Sequence, residues 1–152
     1  MAYIRAMNYT RLVLAAVAAT IVDAVYGFIV YGNVLTAEFA RYPGVFRPAE
    51  SQGPYMPYLF CGIFIAMLAA TFIYAKGYEG GQAVVEGLRF GVAVGVLEVG
   101  YDFMVSYAIS NVGRRLTAMM AVSSIVDWMI AGVVIGLVYR AAASPARRTV
   151  GV

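Results

Sequence analysis

This chain reads as an all-α, four-transmembrane-helix bundle, and three observations say so. Its 152 residues are 62% hydrophobic and only 12% charged, with a mean hydropathy of +0.79. Soluble domains carry about 25% charged residues, so roughly half the usual charge is missing. Four runs, about 12–35, 57–75, 90–110 and 116–139, are long enough to cross a membrane, which takes about 20 mostly apolar residues for roughly 30 Å of hydrocarbon. The stretches between them hold the helix breakers. Lipid offers no partner to an exposed backbone group, so each run has to be a continuous helix. By length, residues 1–152 make one domain.

The first run follows Arg5 and Arg11, as the core of a signal peptide would. From Leu12 to Leu35 it covers 24 residues, well past the 7–15 or so of a signal peptide, and is read as a retained span. The connection from Thr36 to Met56 holds Pro43, Gly44, Pro48, Gly53 and Pro54, a density of breakers that marks an ordered loop. Its Phe39, Tyr42, Phe46, Tyr55 and Tyr58 resemble an interfacial aromatic belt. The second run has no charged residue and reads as a packing helix. Lys76 to Gln82 is a glycine turn, with a new helix starting near Ala83. Asn111 to Arg115 is so short that the third and fourth runs must form an antiparallel hairpin.

The net charge is +3, with a pI near 9.1, but the basic residues sit at the ends of the runs and not in a patch. Membrane anchoring explains them, and no nucleic-acid partner is expected. With the N-terminus inside, Arg5, Arg11, Lys76, Arg89, Arg140, Arg147 and Arg148 fall on the cytoplasmic face and Arg41, Arg47, Arg114 and Arg115 on the other. The positive-inside rule therefore expects both termini in the cytoplasm. A lone cysteine, Cys61, allows no disulfide framework. No Ser/His/Asp set, P-loop or dinucleotide fingerprint is present, so no residue is assigned a catalytic role.

What stands out is acid in the wrong place. Asp23, Glu98, Asp102 and Asp127 lie inside apolar runs that contain no Lys, Arg or His. Each costs roughly 2.5–3.5 kcal/mol at a helix centre, and intramembrane ionisable residues count as functional-site candidates. In the third run Gly87, Gly91, Gly95, Glu98, Asp102 and Ser106 share one face at helical spacing. The glycines allow close helix packing, and the acids continue that face toward the interior. Thr20 and Asp23 in the first run, and Ser123, Ser124 and Asp127 in the fourth, make comparable polar stripes. At about 1.5 Å of rise per residue, all four acids fall in the central third of the bilayer. Trp128 follows Asp127 and so points about 100° away, toward lipid or a partner helix. Glu79 and Glu86 are expected to make screened pairs with Lys76 and Arg89.

The first and fourth runs also repeat each other. Arg11-Leu12 precedes Asp23 as Arg115-Leu116 precedes Asp127, twelve residues from Arg to Asp in both, with Gly32 and Gly136 nine residues further on. In a four-span topology these segments run in opposite senses, and inverted repeats place binding sites near the midplane.

Converging carboxylates cannot all be ionised without a counter-charge. Either some stay protonated and bond to one another and to Thr20, Tyr26, Tyr101, Ser123 or Ser124, or a cation occupies the site. Oxygen ligands suit a hard ion (Na, Mg, Ca or Mn) or a proton. Protonated acids also serve as plain interhelical glue, at about 0.6 kcal/mol per bond.

The runs Ile73-Tyr-Ala-Lys-Gly-Tyr-Glu-Gly80, Glu86-Gly-Leu-Arg-Phe-Gly91 and Gly132-Val-Val-Ile-Gly-Leu-Val-Tyr-Arg140 resemble a group of small uncharacterised bacterial four-helix integral membrane proteins. The resemblance implies a protein of the bacterial inner membrane and carries over no activity. Two functions are therefore expected: binding or conducting a cation or protons through the carboxylates, in a homo-oligomer, or stabilising a larger membrane complex as an accessory subunit.

Overall fold

The computed structural model describes residues 7–140; Arg5, Arg147 and Arg148, three of the charges used to orient the chain, lie outside the described residues. Four helices are long and apolar enough to cross a membrane: α1 (Tyr9–Val34), α2 (Gly53–Gly77), α3 (Ala83–Ile109) and α4 (Arg114–Tyr139). The Asn8 side chain accepts the Arg11 N–H at 3.0 Å and caps the start of α1. Pro54 and Pro57 occupy the opening turns of α2, where a missing N–H costs nothing. Between α2 and α3 the chain reverses at Gly80, whose φ of 88° only glycine adopts readily. α3 starts seven residues before the expected apolar run, taking in Glu86 and Arg89, because a helix need not end where hydrocarbon does.

α4 is the hub. It packs most extensively on α3, then on α1, and only lightly on α2, which leans chiefly on α1. Within the most apolar stretch of each helix, 39% of residues are buried in α4 but only 11% in α3. α3 is therefore an edge helix, held on one side.

That side is made of glycine. A Cβ on Gly87 would run into the Gly132 carbonyl, and one on Gly91 into the Trp128 carbonyl. A Cβ on Gly95 would stand 3.0 Å from the Ile125 Cα. The two backbones touch without intervening side chains.

Between α1, α2 and α4, toward the end that carries Tyr9 and Tyr139, lies an apolar core of Leu12, Ala15, Ala19, Met67, Ala70, Ala131 and Ile135. Tyr74, Tyr78, Phe90 and Tyr139 close that end as edge-on and tilted ring pairs 5.4–6.0 Å apart. There the Arg11 guanidinium donates to the Arg140 carbonyl and ties α1 to α4. The expected pairs of Glu79 and Glu86 with Lys76 and Arg89 do not form. Glu86 accepts from the Gly81 N–H, and the Lys76 ammonium lies 5.5 Å from the centre of the Phe72 ring.

At the opposite end the loop after α1 is ordered, as its breakers foretell, with one helical turn at Thr36–Phe39. Phe39 stacks edge-on against Phe46 at 4.8 Å. Glu38, unremarked in the sequence, is buried and pairs with Arg115 at 3.1 Å and Arg41 at 3.4 Å, fastening the loop to the start of α4.

Both α1 and α3 contain a π turn, at Val30–Val34 and Val99–Phe103. A π turn inserts one residue into the helical register. In α3 the inward position one turn after Glu98 therefore falls to Phe103, 6% exposed, and not to Asp102.

Candidate functional site

The acids divide by depth and by partner. Asp23 is the fifteenth residue of the 26 in α1 and Asp127 the fourteenth of the 26 in α4, so both sit at mid-helix. Glu98 is two residues from the centre of α3, and Asp102 is six residues from it. At about 1.5 Å per residue, Asp102 lies roughly 9 Å from the middle, outside the central third.

Asp23 and Asp127 meet side chain to side chain across the α1–α4 contact, with Glu98 within electrostatic reach of both. The run of small residues Ala15, Ala16 and Ala19 below Asp23 lets the helices approach there. Asp127 is buried, and apart from the Asp23 carboxyl its Oδ1 has no hydrogen-bond partner. That orphaned oxygen is unusual, since most buried polar atoms are bonded.

Glu98 is held separately, on the other flank of α4. Its Oε2 accepts from the Ser124 hydroxyl and from the Trp128 indole N–H at 2.6 Å. Trp128 does point about 100° away from Asp127. Because α4 is the hub, that direction leads to α3 and to Glu98, which corrects the expectation of lipid or a partner helix. Ser123 and Asp127 thus face α1, while Ser124 and Trp128 face α3.

Ser123 anchors a hydroxyl cluster toward the loop end. The Tyr26 hydroxyl donates to the Ser123 carbonyl at 2.9 Å and lies 3.0 Å from its Oγ. Tyr31, absent from the expected set, folds back over Gly27 and brings its hydroxyl to Ser123. The π turn that begins at Val30 is what allows it, and no spacing in the sequence announces that turn. A shallow apolar groove of about 470 Å³, lined by Tyr26, Val30, Leu35, Met119 and Ser123 among others, opens beside this cluster. On the other side of the acids, Met67, Thr71 and Ile135 are fully buried, and a pocket of about 260 Å³ lined by Tyr74, Glu79, Glu86 and Arg89 opens at that end.

Three expected members stand apart. Thr20 donates to the Ala16 carbonyl at 2.8 Å, satisfied within its own helix. Tyr101 is 80% exposed, and Asp102 is exposed with only the Ser106 hydroxyl nearby, at 3.5 Å. Both point away from the bundle, because the π turn rotates this part of α3 outward. Among the described residues no group of three or more His, Cys, Asp or Glu side chains is placed to hold a metal ion. The repeated positions meet different surroundings. Leu12 and Leu116 are both buried and Asp23 meets Asp127, but Gly136 packs on Ala83 whereas Gly32 touches only Phe28 of its own helix.

No protein-family model, curated protein or solved structure matches this chain.

Proposed function

We propose that this chain is an integral membrane protein that moves protons through the Asp23–Asp127 pair, with both termini in the cytoplasm of a bacterial cell. The observation that carries the reading is the orphaned Oδ1 of buried Asp127 beside a second carboxyl. Two carboxyls in contact inside lipid hold one proton between them, and a pair that titrates as a unit can take up and release it. Tyr26, Tyr31 and Ser123 supply hydroxyls on the loop side for handing a proton on. Glu98, bonded to Ser124 and Trp128, sets the local field and is not itself the carrier. A proton suits this arrangement better than a hard metal ion, which wants several oxygens converging on one point.

The test is proton flux into liposomes containing the purified protein and a pH-sensitive dye. Asp23→Asn and Asp127→Asn each lower the flux at least tenfold, while Asp102→Asn leaves it unchanged. No flux in the wild type, or full flux in Asp23→Asn, removes the reading.

A second reading, an accessory subunit of a larger membrane complex, draws on the outward acid of α3. Purification in mild detergent separates the two, since a subunit brings a stoichiometric foreign polypeptide with it.

A further inference from the structure

α3 turns an acid and a hydroxyl toward lipid, side by side. Asp102 and Tyr101 are both exposed, at a depth still inside hydrocarbon of about 30 Å, and among the described residues no ion pair involves Asp102. An ionisable group facing lipid is costly and is normally turned inward. Here the π turn at Val99–Phe103 does the reverse, giving the interior to Phe103 and aiming Asp102 out. π turns recur at functional sites. An outward acid in a spanning helix needs a cover.

We propose that the cover is a second copy of this chain, docked on the outward face of α3 about a two-fold axis along the membrane normal, with each Tyr101 hydroxyl donating to the partner copy's Asp102. The geometry of the bilayer selects this occupant. Two copies inserted in the same sense meet only residues at equal depth. A surface that pairs with itself must then carry donor and acceptor at one height. Tyr101 and Asp102 are consecutive, about 1.5 Å apart along the helix, and so meet that condition. Leu97, Met104, Val105 and Ile109 surround them as exposed apolar contacts, 47–80% accessible. Gly100 is exposed, with nothing within 4 Å of where its Cβ would stand, so a second backbone has room to approach. This flank of α3 lies opposite the glycine contact with α4, so docking requires no repacking of the bundle. It is independent of whether the acids inside the bundle carry protons.

The experiment counts subunits by single-molecule photobleaching in liposomes over a range of protein-to-lipid ratios. The wild type is expected to dimerise. Tyr101→Phe raises the dissociation constant about eightfold, since two symmetry-related bonds of about 0.6 kcal/mol each are lost together. Asp102→Leu weakens the dimer at least as much, Asp102→Asn keeps an acceptor and stays close to wild type, and Leu59→Ala on α2 changes nothing. In a Cys61→Ala background, Val105→Cys cross-links to itself in native membranes. A monomer at every ratio, a dimer indifferent to Tyr101→Phe and Asp102→Leu, or cross-linking of Val105→Cys to a different polypeptide each overturns the proposal.

Discussion

Glu98 draws both of its visible hydrogen bonds from α4, and one of them comes from the only tryptophan in the chain. An indole N–H is sensitive to what accepts its hydrogen bond, so Trp128 emission reports the contact with Glu98. We expect Glu98→Leu, which removes the acceptor, to shift the Trp128 emission maximum; an unchanged spectrum would mean that the two side chains do not meet. Trp128→Phe removes the donor while keeping the ring in its packing site. Bonds to charged groups contribute about 1.5–3 kcal/mol, and the loss is read as a lower melting temperature in detergent. Ser124 can still donate, which puts the expected cost at the lower end. None of this was visible from composition. The sequence places Trp128 correctly by rotation, but which neighbour occupies that direction depends on α4 lying between α1 and α3.

At the scale of the elements, the reading from sequence succeeds where a regular period carries the information. Four spans, the breaker-rich loop, the tight α3–α4 hairpin and the Gly87-Gly91-Gly95 face all follow from spacing. It fails after Val99, because an inserted residue shifts every later side chain and leaves no mark in hydropathy. Asp102 and Tyr101 were placed inside on an unbroken helix and lie outside on the real one. A deletion tests this directly. Removing Gly100, beside whose Cβ position nothing lies within 4 Å, turns the π turn into a regular turn and keeps Phe103 in the inward position by the ordinary period. The variant should fold with stability within about 1 kcal/mol of wild type, the range of a single glycine effect. Unfolding or aggregation in detergent would show that the irregular turn is needed for the fold itself. The glycine contact makes the opposite prediction. Gly91→Leu forces α3 away from the Trp128 carbonyl and costs at least 1–3 kcal/mol or so, the range for overpacking. Gly62→Ala, where a Cβ meets nothing within 4 Å, should leave the melting temperature unchanged.

For the whole molecule, the main result is an asymmetry between two halves. The half toward Tyr9 and Tyr139 packs alanine, methionine and isoleucine against three tyrosines and a phenylalanine. The loop half holds the hydroxyl cluster and the groove beside it. On the proton-moving function proposed above, loosening the packed half changes flux more than altering the groove half. Ile135→Ser adds a hydroxyl to the packed side, and we expect it to raise proton flux in liposomes several-fold. Ala118→Ser, on the groove, should leave flux as in the wild type. Equal effects from both would place the barrier elsewhere. The sequence could show that Asp23 and Asp127 share a level, but not what packs on either side of them, because that depends on how α1, α2 and α4 close around Met67.

Carbonyl oxygens set directly against glycine leave α3 and α4 no intermediate position. To slide past one another they would have to jump a full turn, about 5.4 Å. The hairpin therefore moves as one rigid body. The α1–α4 seam, lined by alanines and a pair of carboxyls, has no such teeth. On the proposed function, the motion that opens the acids to the other side is a shear along that seam, with α1 and α2 gliding over a stationary hairpin.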